Sequence, residues 1–240
     1  MHSSTATKQS TGLLPSAIRF GIISFYILLT LLPNSNSLMV KWPWVLLWQS
    51  GLMLGPIMLI FQLWRQSFRR LGNWLDGLAI AWSLLLILSA AFSQFSNQAI
   101  RYSWAALCGM SFLYATHSWL TSAEKIQRLL IFQGILSSTF SIYSLTAWLL
   151  QTVHPYLHTL KQLASYGIDR SFDLKILTLR NWHPLGHQNY VAGYLLLAIP
   201  LLVGLALSTR GVQRLGWISS CVVSLLTLYS TASRGSWFGL

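Results

Sequence analysis

This 240-residue chain predicts an all-α fold, a polytopic bundle of transmembrane helices, and three observations carry the prediction. First, 54% of the residues are hydrophobic and only 8% are charged, against about 25% charged in an ordinary soluble domain. A surface so poor in charge has a bilayer as its natural solvent. Second, apolar runs recur along the chain, and most span much of a hydrocarbon core of about 30 Å at about 1.5 Å per residue. Third, several of the twelve tryptophans sit at run ends: Trp42, Trp44, Trp64, Trp74, Trp119 and Trp217. That is the depth at which an amphipathic indole is favoured in a membrane.

About seven spans are expected: Ile18–Leu32, Trp44–Trp64, Trp74–Phe92, Tyr102–Leu120, Leu129–Leu150, Tyr190–Ser208 and Leu215–Thr231. The first follows Lys8 and Arg19, as a signal peptide would. It leads into Pro-Asn-Ser-Asn-Ser without a small-x-small cleavage site, which makes it a retained span. Gly51 and Gly55 place G-x-x-x-G inside the second span, a spacing that lets helices approach closely. Cys108 and Cys221 lie within apolar runs and are expected to pack as thiols rather than pair. His117, also within a run, is expected to be a packed, hydrogen-bonded side chain.

The net charge of +12 comes from sixteen Lys and Arg against four Asp and Glu. No nucleic-acid-binding motif accompanies it, and no nucleic acid partner is expected. The cations lie between the runs, as membrane topology and anionic lipid require. Nine fall on the side of Lys8, Arg65, Arg128 and Arg210. Seven fall on the other side, four of them in one long loop. The positive-inside rule then puts the N-terminus in the cytoplasm and the loop outside.

The expected organisation has four parts. Residues 1–12 form a polar, disordered cytoplasmic tail, and 13–150 hold five transmembrane helices. Residues 151–189 form the outer loop, and 190–240 a helical hairpin that the sequence leaves incomplete. The loop holds His154, His158, His183 and His187, and Asp169 and Asp173. Leu157, Leu160 and Leu163 recur near helical spacing, which predicts a short amphipathic helix in the interface. The pairs His154/His158 and His183/His187 have metal-like spacing, but no carboxylate or thiol cluster joins them, so no metal is expected. Asp169 and Asp173 are the only outer carboxylates for acid–base work. No Walker loop, Rossmann fingerprint or G-x-S-x-G occurs.

Two polar clusters flank the last hairpin. Gly186-His187-Gln188-Asn189 opens one span, with Asn189 a good N-cap for it, and Ser233-Arg234-Gly235-Ser236 follows the other. Two antiparallel spans return the chain to the side it left, so His187 and Asn189 share a face with Arg234. A helix N-terminus exposes N–H groups and the positive end of its dipole. Arg supplies a fork of donors suited to phosphate oxygens. Together they suit an anionic lipid headgroup.

The clusters, read as Gly186–Leu202 (GHQNYVAGYLLLAIPLL) and Thr231–Leu240 (TASRGSWFGL), resemble the O-antigen ligase/polymerase superfamily. Leu177–Leu185 (LTLRNWHPL) is similar to its cyanobacterial members. The resemblance implies transfer of a glycan from a polyprenyl-pyrophosphate carrier to an acceptor, at the periplasmic face of the inner membrane, without metal, nucleotide or other cofactor. It implies catalytic roles for His187 and Arg234, and binding roles for Asn189, Arg180 and Ser233. A branch of the superfamily carries the label of bicarbonate transporters, which implies a small-anion alternative. Family members continue through further spans and a second outer loop with a histidine. By that comparison this chain is expected to lack its acceptor-activating half.

Overall fold

The computed structural model describes residues 16–31, 41–72, 74–172, 179–233, 235 and 239. Among these every regular element is helical. We label them α1 (Ser16–Thr30), α2 (Trp44–Trp64), α3 (Leu75–Ala91), α4 (Ser96–Trp119), α5 (Ala123–Trp148), a π-helical segment (Leu149–Val153), α6 (His154–Ser165), α7 (Gln188–Ser208) and α8 (Gly211–Ser230).

Among the described residues four rods are long and apolar enough to cross a membrane: α2, the continuous 43-residue rod Ala123–Ser165, α7 and α8. Helix α3 is apolar but has 17 residues. Helix α1 has 15. Helix α4 has the length, yet Asn97, Gln98, Arg101 and His117 dilute its apolar character. Outward-facing residues are those of a protein in lipid: Ile60 is 65% exposed, Leu207 73% and Leu197 79%.

Several boundaries differ from the sequence expectation, those of α4 and α8 among them, and at α5 the local reasons are visible. Helix α5 begins at Ala123 rather than Leu129, because the Ser122 side chain accepts the Lys125 N–H and Ala-Glu-Lys-Ile-Gln-Arg forms helix readily. At its other end the helical rod continues past Leu150. The π turn adds a residue to the coil and takes Pro155 into the first turn of α6, where a missing N–H is tolerated.

The chain forms two compact units, residues 1–30 with 48–116, and 31–47 with 117–240. In the first, α2 and α4 touch at the glycine the sequence singled out. A Cβ on Gly55 would stand 2.7 Å from the Cys108 carbonyl oxygen and 2.9 Å from the Phe112 nitrogen. Gln62 Nε2 donates to the Ala115 carbonyl at 2.8 Å, and Trp104 Nε1 to Gln49 Oε1 at 3.2 Å. In lipid, where apolar burial drives little helix association, such bonds and close approaches hold helices together.

In the second unit α5 packs with α7 and α8, although the sequence division had grouped it with the N-terminal helices. Phe140, Val191, Leu195, Ile199 and Leu228 form the core. The Tyr194 hydroxyl meets Gln133 Nε2 at 3.2 Å and Ser137 Oγ at 3.0 Å. The Tyr194 ring packs 4.5 Å from that of Phe140. Along the α5–α8 contact, Ser141 Oγ and Ser224 Oγ lie 2.8 Å apart. Thr227 donates to the Ser141 carbonyl at 3.2 Å.

Gly55→Val should lower stability by about 1–3 kcal/mol, because the clash is with backbone that cannot turn aside. Gly204→Ala, where an added Cβ meets nothing within 4 Å, should shift it by less than about 1 kcal/mol. Thermal unfolding of the detergent-solubilised variants measures both.

Candidate functional site

The segment from Leu179 to His187 is bound to α5, the π-helical segment and α8 before it enters α7. Trp148 Nε1 donates to the Leu179 carbonyl at 2.6 Å. The Asn181 N–H donates to the Ser230 carbonyl at 2.9 Å. Asn181 Nδ2 reaches Ser144 Oγ and Ser230 Oγ, both at 3.0 Å, and Oδ1 accepts the His183 N–H at 3.0 Å. Ser144 Oγ donates to the His183 carbonyl at 2.6 Å. Asn181 is fully buried, and one side chain thus joins the end of α5, the end of α8 and the loop.

His183 is buried beside Thr152, whose Oγ1 lies 3.3 Å from Nε2, and its ring stacks on Trp182 at 3.9 Å. Burial pushes its pKa below the ordinary 6.5 by penalising the imidazolium. The chain then turns through Gly186 (φ 79°), whose N–H donates to the Trp182 carbonyl at 2.8 Å.

That turn changes the cap of α7. Asn189 was the expected N-cap, but His187 holds the extended cap conformation (φ −151°, ψ 133°), and its Nδ1 accepts the Asn189 N–H at 3.2 Å. Gly186 delivers the chain two residues earlier than the sequence suggested. The Asn189 side chain is thereby left to reach across the hairpin, where its Oδ1 accepts from Ser233 Oγ at 3.2 Å. This bond ties the start of α7 to the residues just beyond α8.

Beside it opens a cleft of about 620 Å³, lined by Arg180, Gln188, Asn189, Ala232, Ser233 and Gly235 at its polar end and by Ala192, Gly193 and Leu196 further along α7. An added Cβ on Gly193 would meet nothing within 4 Å, so the glycine keeps this floor open. Arg180 is half-buried, and its Nε is shielded from solvent with no hydrogen-bond acceptor. A buried guanidinium nitrogen without an acceptor is costly. The Arg180 donors, the side-chain amides of Gln188 and Asn189 and the positive end of the α7 dipole border one space. Such a space suits oxyanions.

Of the sequence candidates, Arg180, Asn189 and Ser233 line this cleft together. His187 caps the helix next to it, with its ring 5.3 Å from that of Tyr190. Arg234 lies outside the described residues, as does the 173–178 stretch with Asp173 and Lys175. Gln188 was not singled out by sequence, although it sits inside the quoted Gly-His-Gln-Asn cluster. Among the described residues no group of three or more His, Cys, Asp and Glu gathers as metal ligands would.

Asn181→Ala should free the loop at a cost of about 3 kcal/mol, since it strands several buried partners. Limited trypsin digestion should then cut after Arg180 far faster than in the native chain. Unchanged cleavage would separate loop docking from Asn181.

Docking of the loop should also depend on pH. His183 is neutral when buried, and its native pKa lies below that of the released loop. The released form therefore binds more protons in the interval between the two values. The His183 contribution is fully present above about pH 6.5 and is lost as pH falls through the lowered native value. The melting temperature should fall on acidification below that pH, and His183→Gln should flatten the dependence.

No family model, curated protein or solved structure matches this chain, so the chemistry of the cleft rests on its own geometry.

Proposed function

We propose that the cleft at the open end of the α7–α8 hairpin binds the pyrophosphate of a polyprenyl-linked glycan, and that the chain serves a membrane glycan ligase or polymerase. One observation carries the proposal. The donors of Arg180, Gln188 and Asn189, beside the Ser233 hydroxyl, give way, one helical turn along α7, to Ala192, Gly193 and Leu196. The polar end suits a diphosphate, which takes a bidentate guanidinium. The apolar floor suits the first isoprene units.

In this reading α1, α3 and α4 also cross the inner membrane, giving seven spans. The N-terminus is cytoplasmic, and the loop before α7 is periplasmic. His187, adjacent to the cleft, accepts or delivers a proton at the glycosyl acceptor, and Arg234 is a second pyrophosphate-binding residue. The acceptor glycan is not specified by any residue here. A small anion such as bicarbonate could use the same cation, and the unaccepted Nε of Arg180 favours it equally. It leaves the apolar floor without a purpose.

Binding of undecaprenyl diphosphate to the chain in nanodiscs tests the proposal. Arg180→Gln should weaken it about 10- to 100-fold, the worth of hydrogen bonds to a charged group. Gly193→Leu, which fills the floor without removing a donor, and Arg234→Ala should each weaken it as well. Equal affinity for all variants sinks the lipid reading. Bicarbonate uptake by liposomes, lost in Arg180→Gln, would establish the transporter instead.

A further inference from the structure

The first unit carries a groove of its own, of about 590 Å³. Its walls are Leu59 and Leu63 of α2, Ile80 and Leu84 of α3, and Met110 of α4. Its mouth is formed by Phe68, Arg70, Asp76 and Tyr114. The walls are open to the outside: Ile80 is 62% exposed and Leu84 55%.

The mouth is built by one carboxylate. Asp76 accepts the Tyr114 hydroxyl at 2.7 Å, the Leu71 N–H at 3.1 Å and the Gly72 N–H at 3.3 Å. Phe68 stacks on Tyr114 at 5.7 Å. Asp76 thus fixes Leu71 and Gly72 against α4, and it lies within electrostatic reach of Arg70 without a direct hydrogen bond to it. Arg70 stands exposed at the lip, with Arg65 and Arg69 exposed on the same connector. Trp64 and Trp74, 80% and 68% exposed, flank it at the depth where indoles mark the headgroup region.

Within a bilayer such a groove is filled by acyl chain. Its walls are no more apolar than a lipid tail, so the tail itself confers little selectivity. The choice of lipid is made at the mouth. A guanidinium there binds phosphate oxygens in a fork. A zwitterionic headgroup would bring a second cation towards three arginines, whereas an anionic one would not.

We propose that this groove is a site for one anionic diacyl phospholipid, its phosphate against Arg70 and one acyl chain along α3 from Asp76 towards Leu84. Asp76 is a positioning residue in this site, and Arg70 is the contact. The length of α3 involved is about 12 Å at about 1.5 Å per residue.

Native mass spectrometry of the delipidated full chain tests it. The protein is exchanged with an equimolar mixture of phosphatidylglycerol and phosphatidylcholine of matched chains. The first bound lipid should be phosphatidylglycerol by about fivefold or more, the preference expected from a single cation at an anionic surface. Arg70→Gln should abolish the preference. Ser83→Phe, which crowds the groove midway without altering charge, should remove the tight adduct; Ile80→Trp serves the same purpose if that variant misfolds. Arg210→Gln, which removes a cation from the second unit, should leave the preference as in the native chain. Equal loading of the two lipids by the native chain overturns the proposal. So does an equal loss from Arg210→Gln and Arg70→Gln, which would reduce the preference to diffuse surface charge. Unaltered binding by both groove-filling variants overturns it too.

Discussion

The second unit depends on the buried junction at Asn181. Helices in lipid gain little from burying apolar surface against each other, because the surrounding tails are as apolar as leucine. Polar bonds and close backbone approach must supply specificity. Asn181 uses its main-chain N–H, both amide hydrogens and its carbonyl oxygen on Ser230, Ser144 and His183. No aliphatic residue could join three segments in this way. The seam continues down α5 and α8 through Ser141, Ser224 and Thr227, small side chains that bond without holding the helices apart.

The cleft follows from that junction. Arg180 is the residue before Asn181, so fixing Asn181 fixes where the guanidinium can reach. The Gly186 turn and the His187 cap then decide the phase of α7, and the phase decides that Asn189 faces Ser233. A shift of one residue along α7 would rotate Asn189 by about 100°, since the helix has about 3.6 residues per turn. The amide would then leave the cleft.

Much of this was legible in the sequence, and the part that was not has a local cause. Apolar runs mark α2, α7 and α8 because a span needs little beyond length and hydrophobicity. Gly55 was visible as half of G-x-x-x-G, and its neighbour across the contact, the Cys108 backbone, was not. The polar start of α5 was assigned to a connector, since Glu124, Lys125 and Arg128 outweigh the cap signal of Ser122 in a hydropathy count. The juxtaposition of Asn189 with Ser233 could be expected from two antiparallel spans. The roles of Asn181 and Gln188 could not, because a lone amide in a loop looks the same whether it faces water or three carbonyls and hydroxyls. The displacement of the N-cap from Asn189 to His187 turned on the φ of one glycine, which no composition reveals.

The two units place their cations by opposite means, and in both an arginine lines a groove. In the first, Asp76 is close to Arg70, yet its oxygens are taken by a hydroxyl and two amide N–H groups. In the second, no carboxylate is among the described residues that line the cleft, and Arg180 keeps a buried Nε without an acceptor. A chain with four acidic residues against sixteen basic ones cannot pair its cations internally. In water such a surplus would be met by counterions. At the edge of a bilayer the nearest anions are phosphates attached to hydrocarbon, and each of these arginines stands where a polar mouth meets an apolar groove. If these arginines hold phosphates as proposed, a carboxylate free to reach either guanidinium would compete with the phosphate, and the one acid among the described lining residues, Asp76, has its oxygens engaged by Tyr114, Leu71 and Gly72.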